Sequence, residues 1–299
     1  MPEKLAAGFS GKRKPDFFLS GAFQAHAATI LFGLAGLFGK WIQQPASFIV
    51  FGRVIFATLA LGLIIWRRRL SLKPQSGADS LNFLALGLLL AFHWTVFFHS
   101  IQVSTVAIGL LAYSTFPVFT SFLEPVFLHE RFHQEIIAAA LLCLFGVFWL
   151  IPSFEWQQPY FRGVIWGILA GLSFSLLSVA NRRLTARYNS LVIAFYQDAG
   201  AAIFLSPLVF LSVTFPPFPD IARLAFLGVT CTALAHSLFI QAMKKITAAR
   251  AAVISSLEPV YGIAFAFFWL KEVPSWRTLI GGLIILLTAL YVTWRCQRR

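Results

Sequence analysis

The sequence predicts an all-α integral membrane protein of ten transmembrane helices, arranged as two inverted five-helix repeats. Three observations carry this expectation: an apolar composition, a motif that recurs at a constant offset, and basic residues crowded onto one side of the connections. Of 299 residues, 59% are hydrophobic and 12% charged, against roughly 25% charged in an ordinary soluble domain. Several apolar stretches exceed the ~18 residues needed to span a bilayer, where a helix satisfies its own backbone hydrogen bonds.

Apolar runs and their polar breaks place helices near residues 17–40, 46–66, 81–102, 105–128, 134–152, 161–184, 190–213, 221–243, 247–270 and 275–295. Before the first stand Lys4, Lys12, Arg13 and Lys14. The apolar run that follows is too long for a signal-peptide core and lacks a small-residue cleavage site, so it is expected to be retained. The second helix carries Arg53, the third His93 and Trp94, the seventh Tyr196, Gln197 and Asp198, and the eighth His236. Glycines at four-residue intervals in the sixth (Gly163, Gly167, Gly171) suit close helix packing. The connections are a few residues long and leave no room for a soluble catalytic domain.

The fourth and ninth helices hold the duplicated motif. Ser114-Thr115-Phe116-Pro117-Val118 precedes Glu130, and Ser256-Leu257-Glu258-Pro259-Val260 precedes Glu272; proline and glutamate both recur at an offset of 142 residues. The division that follows is a cytoplasmic segment 1–16, a first repeat 17–152 and a second repeat 161–295. Paired repeats around a midplane site are a common way to build a transporter without a nucleotide-hydrolysing domain.

With a cytoplasmic N-terminus, eighteen basic residues fall on the inner side and five on the outer. Both termini are therefore expected in the cytoplasm, and the protein in the inner (plasma) membrane. An odd number of helices per half makes the repeats inverted, with Glu130 inside and Glu272 outside. The net charge of +13 is spread in short clusters between apolar segments, which reads as topology signal and not as a nucleic-acid face. Cys143, Cys231 and Cys296 are far apart and fit no metal or thiol-redox spacing.

These residues resemble the drug/metabolite transporter superfamily, and within it the EamA-type ten-helix carriers. The resemblance rests on the duplicated proline-to-glutamate motifs, on Gly33 to Lys40, on Arg53, and on the small-residue entries Val106-Ala107-Ile108 and Ala251-Ala252-Val253. It covers nearly everything after the first sixteen residues. It implies a secondary carrier alternating between inward and outward states, exporting a small metabolite such as an amino acid, aromatic or amphipathic. A multidrug or nucleotide-like metabolite carrier, and a non-transporting receptor or scaffold, are the alternatives. The expected partners are a small-molecule substrate and the lipid bilayer, with one chain supplying both halves of the site as a functional monomer.

Ionisable groups within a membrane are costly and are candidates by default. Glu258, between Ser256 and Pro259, is expected to bind a substrate amine or carry a proton, or else to cap backbone groups freed by the proline. Its repeat counterpart is Phe116. The expected substrate contacts are His93, Trp94, Tyr113, Phe116, Trp166, Ser256 and Glu258. Phe97, Phe174, Tyr196 and Tyr261 complete an aromatic set that lines a cavity or simply packs. Pro117 and Pro259, read as lying inside their helices, are hinge candidates. Proton-coupling candidates are Glu258, His26 and His236, since histidine titrates near neutrality.

Arg53 is read either as a carboxylate-binding or gating charge or as half of an ion pair with Asp198. Glu130 and Glu272 are read as gates or helix-end anchors, and Glu124, before Pro125, as structural. No cofactor or metal is expected, because no two of His26, His93 and His236 share a helix at ligand spacing. ATP binding is rejected: the glycines before Lys40 have the wrong spacing, and Trp41 replaces the Ser or Thr of a phosphate loop. Nor is an enzyme expected, since clustered carboxylates or His/Cys ligands at one membrane face are missing.

Overall fold

The computed structural model describes residues 21–128, 135–151, 155–210 and 216–297. Glu130, the segment 1–16 and the predicted repeat boundary at 152 lie outside the described residues. Within them every regular element is helical: α1 (Gly21–Trp41), α2 (Ala46–Arg67), α3 (Gly77–Val103), α4 (Val106–Tyr113), α5 (Phe116–Leu128), α6 (Glu135–Leu150), α7 (Pro159–Leu184), α8 (Ser190–Phe210), α9 (Phe218–Gly228), α10 (Ala235–Ala242), α11 (Ala248–Ser255), α12 (Glu258–Phe265) and α13 (Trp276–Gln297). A π-helical turn, Val229–Leu234, joins α9 to α10, and a second, Ala266–Leu270, continues α12. Among the described residues seven helical stretches are long and apolar enough to cross a membrane, including the combined runs Val106–Phe127 and Phe218–Ala242; Leu141–Leu150, Glu258–Leu270 and Trp276–Thr288 are shorter apolar pieces. The chain is an all-helical integral membrane protein.

Local chemistry sets the helix starts. Ser76 Oγ accepts the Asp79 N–H at 3.1 Å ahead of α3, and Thr105 Oγ1 accepts the Ile108 N–H at 3.1 Å ahead of α4. Each satisfies a donor that the first helical turn leaves free. Pro159 opens α7, where its missing N–H has no partner to lose.

Pro117 and Pro259 do not sit within continuous helices as the sequence suggested. The chain turns at Ser114-Thr115 and again at Ser256-Leu257, so each proline stands in the first turn of a second helical piece. A proline is tolerated there because the first turn of a helical piece has no intrahelical partner for its N–H, so the missing donor costs nothing. Hydroxyls at the breaks satisfy carbonyls of the preceding piece: Ser114 bonds Leu110 O at 2.9 Å, Thr115 bonds Ala112 O at 2.9 Å, and Ser256 bonds Ala252 O at 2.9 Å.

Helices related by the 142-residue offset pack on one another, α2 on α8 and α6 on α13. The packing of α3 on α7 is matched by that of α1 on α10, and α4 on α7 by α1 on α11. At the α3–α8 crossing a Cβ on Gly87 would lie 2.7 Å from the Gly200 Cα, so the two backbones touch and only hydrogen fits between them.

Polar contacts tie the bundle at both ends. At one, Tyr188 donates to Asp79 Oδ2 at 2.8 Å and accepts the Gln75 N–H at 2.8 Å, while Tyr196 bonds the Leu72 carbonyl and Arg182 bonds Ile246 O at 2.8 Å. At the other, Lys40 Nζ donates to Ser104 O at 2.7 Å, and Glu272 accepts the Val106 N–H at 3.0 Å.

Candidate functional site

Between these ends, α1, α2, α3, α4, α7, α10 and α12 converge on a buried chamber of about 30 Å³. Its walls are mostly rings and aliphatic groups, with Arg53, His93, Asn181, His236 and Glu258 as the polar members. That volume holds about two waters, so a metabolite enters only if the helices separate.

Glu258 opens α12, directly after the break at Ser256-Leu257. It is 3% exposed, and its Oε2 makes no hydrogen bond among the described residues. Its backbone is held against α1: a Cβ on Gly33 would stand 3.0 Å from the Glu258 carbonyl oxygen. A side chain on Gly33 would push this turn, and the carboxylate with it, away from the chamber. Burying a carboxylate with an unsatisfied oxygen is expensive, so the group is suited to a cationic or hydrogen-bond-donating ligand.

Arg53 is 1% exposed and fully enclosed. Its Nε donates to Thr232 Oγ1 at 2.8 Å and its Nη2 to the Cys231 carbonyl at 3.2 Å. The guanidinium carbon lies 4.0 Å from the Trp94 ring centre and 5.3 Å from that of Phe98. Thr232 and Cys231 belong to the π-helical turn, whose irregular register makes a backbone carbonyl available to a side chain. The ion pair with Asp198 suggested by the sequence is not made; Asp198 faces His236 instead, Oδ1 to Nδ1 at 3.9 Å. Asp198 and Glu258 both act on Arg53 through space. Two hydrogen bonds, two aromatic rings and two carboxylates at longer range thus offset the desolvation of Arg53, in place of one direct ion pair.

His93 Nδ1 lies 3.0 Å from the Ala170 carbonyl and 3.2 Å from Ser173 Oγ. A carbonyl only accepts, and the Ser173 hydroxyl bonds the Leu169 and Ala170 carbonyls. Nδ1 therefore carries the hydrogen, and Nε2 is left as an acceptor. His236 meets the Trp94 ring edge-on at 5.7 Å. Tyr113 stacks on Phe116 at 5.0 Å, and Phe174 closes edge-on against both.

Of the expected substrate contacts, the fold brings His93, Trp94, Tyr113 and Glu258 to the chamber, together with Arg53 and His236. Phe116 is fully buried behind Tyr113. Trp166 stands elsewhere, edge-on to His99 at 5.3 Å, and the Ser256 hydroxyl turns back to its own helix. His26 lies on the exposed face of α1, and Tyr196 stacks on Phe83 at 4.5 Å near one end of the bundle. Glu124 pairs with Arg182 at 3.7 Å. Sequence reasoning missed Phe32, Asn181 and Phe239 in the wall, and the π-helical turn that holds Arg53. Thr230 and Thr232 in an otherwise apolar run were the available signal for that turn. Among the described residues, no group of three or more His, Cys, Asp or Glu is placed to hold a metal ion.

Comparison with known proteins agrees with this architecture. The chain is 25% identical over 278 residues to the pseudopaline exporter CntI of Pseudomonas aeruginosa (strain UCBPP-PA14), covering 92% of this chain and 96% of the exporter. It is 25% identical over 244 residues to the uncharacterised transporter YxxF of Bacillus subtilis (strain 168), covering 78% and 76%. With the S-adenosylmethionine uptake transporter of Rickettsia conorii (strain Malish 7) it shares 26% identity over 209 residues, 70% of each chain. A solved crystal structure with 18% identity superposes with a TM-score of 0.70 over 93% of this chain and 97% of the other, a likeness of fold. The profile of the EamA-like transporter family matches twice, at residues 19–151 and 161–294. This doubled match over nearly the whole chain makes the protein a member of the EamA-like transporter family, within the drug/metabolite transporter superfamily.

Proposed function

We propose that this membrane transporter is a secondary carrier, working by alternating access of two inverted five-helix halves in the inner membrane, with both termini in the cytoplasm. The ten crossings are α1, α2, α3, α4–α5, α6, α7, α8, α9–α10, α11–α12 and α13. The matched pairs of helix contacts support this arrangement, since interchanging the two halves reproduces the same packing.

The observation that carries the site assignment is the unsatisfied Glu258 carboxylate at the break in the ninth crossing, facing aromatic walls from both halves. Glu258 binds the cationic or donor group of a small metabolite, His93 Nε2 accepts a further hydrogen bond, and Trp94 and Tyr113 cover its apolar part. Pro117 and Pro259 mark the breaks about which the halves rock. The polar ties at Tyr188–Asp79 and at Glu272–Val106 close the inner and outer ends in turn. An amino acid or a similar compound, aromatic or amphipathic, fits this wall, and one chain suffices.

Export follows the CntI relative and uptake the Rickettsia relatives, so direction is set by measurement. The experiment is flux of a labelled panel of aromatic and small polar amino acids in oriented proteoliposomes. Saturable flux that Glu258→Gln abolishes supports the reading. Equal flux in wild type and variant removes Glu258 from the mechanism, and no flux across the panel removes the amino-acid class.

A further inference from the structure

A second acidic site lies beside the chamber and has no place in the substrate contacts above. Asp198, on α8, is 0% exposed, and neither carboxylate oxygen accepts a hydrogen bond among the described residues. Its ion-pair partner is the imidazole of His236 on α10, at 3.9 Å, whose Nδ1 also lacks a hydrogen bond among the described residues. A bare carboxylate in such a place is untenable without a proton or a cation close by.

Arg53 of α2 acts on Asp198 and His93 of α3 on His236, while Cys231 of the π-helical turn and Glu258 of α12 act on Arg53 itself. Arg53 is a fixed cation, while Asp198 and Glu258 are two potential anions. Electroneutrality of this dry cluster therefore calls for one more positive charge. A proton supplies it when the chamber is empty, and a substrate cation on Glu258 supplies it when the chamber is filled.

We propose that Asp198 and His236 form a proton-binding site distinct from the substrate carboxylate, and that the protein exchanges this proton for a substrate cation. The proposal rests on the transport reading of the chamber. When the cation settles on Glu258, the Asp198 O–H bond breaks. The proton passes to His236 Nδ1 and from there to water on the open side, leaving Asp198 ionised and balanced by Arg53. On the other face the steps reverse, with a proton taken up as the substrate leaves. His236 touches the Trp94 ring, and Trp94 lies under Arg53, so protonation of the pair also bears on the chamber wall.

Two measurements test this. In the first, proteoliposomes carry an internal pH dye and the labelled substrate identified in the panel. Asp198→Asn is expected to keep substrate counterflow within about twofold of wild type while losing uphill accumulation on a pH gradient and the dye signal. Glu258→Gln loses both. Retained gradient-driven accumulation in Asp198→Asn, or loss of its counterflow, overturns the proposal.

The second needs no flux, and so separates this inference from the transport reading: infrared spectra of purified protein titrated with acid. The protonated-carboxyl band of Asp198 is expected in wild type, absent in Asp198→Asn, and shifted in midpoint both by His236→Gln and by Glu258→Gln, which removes one of the two anions. A band that persists in Asp198→Asn and vanishes in Glu258→Gln, or a midpoint unmoved by His236→Gln, overturns the assignment.

Discussion

The guanidinium of Arg53 lies face-on to the Trp94 ring, 4.0 Å from its centre, joining α2 to α3 at the chamber wall. Cation–π contacts contribute about 2 kcal/mol or more when desolvated, and truncating a buried tryptophan costs about 3–5 kcal/mol. Trp94→Ala is therefore expected to lower the thermal midpoint far more than Trp94→Phe, which keeps a ring under the charge. Arg53→Lys should also destabilise, because a lysine cannot reproduce the donors to Thr232 and Cys231. Unfolding in detergent micelles, followed by circular dichroism, ranks the three; equal midpoints for Trp94→Ala and Trp94→Phe would contradict the ring's role.

The Gly87–Gly200 crossing leaves no room for a side chain. Gly87→Val is expected to cost about 1–3 kcal/mol through forced separation of α3 and α8. Gly77→Ala is the control, because a Cβ there meets nothing within 4 Å. It should be neutral or slightly stabilising, since alanine is the better helix former. Thermal midpoints of the two variants check the contrast.

Glu272 lies beyond the membrane-spanning pieces, where partial burial raises its pKa, opposed by the Val106 N–H bond and by Lys40. The sign follows from linkage: a carboxyl whose folded-state pKa is raised favours the folded protein when protonated. Below the ordinary glutamate value of about 4.3 both states carry the proton. As pH rises from there through the folded-state value, the wild type loses stability relative to Glu272→Gln. Glu272→Gln keeps an oxygen acceptor for Val106, so its midpoint should vary less with pH than that of wild type. Parallel curves for the two proteins would show that Glu272 does not titrate in this window.

Tyr188 links two connections by donating to Asp79 and accepting from Gln75. Tyr188→Phe takes a donor from the buried Asp79, which keeps only the longer contact to Arg187 at 3.9 Å, and returns the Gln75 N–H to solvent, at a cost of about 1–3 kcal/mol. It is expected to speed tryptic cleavage after the exposed Arg69 and to lower the thermal midpoint. Cleavage at the wild-type rate would mean the tie does not restrain that connection.

Much of the helical plan was legible in the sequence. The helices begin and end within a few residues of the apolar runs, because a chain in lipid must close its backbone hydrogen bonds within each crossing. That His93, Trp94, Tyr113 and Glu258 would line an interior chamber was legible for a related reason: polar or amphipathic groups in an apolar run need an interior to face. Ser256, Phe116 and Trp166 were misplaced because helical rotation and local breaks decide where a side chain goes. A serine at a helix break finds its own freed carbonyl sooner than a ligand.

The sequence by itself determined that this chain is a duplicated bundle of membrane helices with prolines and acidic residues at matching places, since hydropathy and repeat offset act along the chain. Only the tertiary structure decided which buried charges meet. Arg53 is held by a π-helical turn 178 residues away and by Trp94, while Asp198 is left to His236. In a low-dielectric interior the partner of a charge is whichever group lies within a few ångströms, and that is set by how helices cross and rotate against one another.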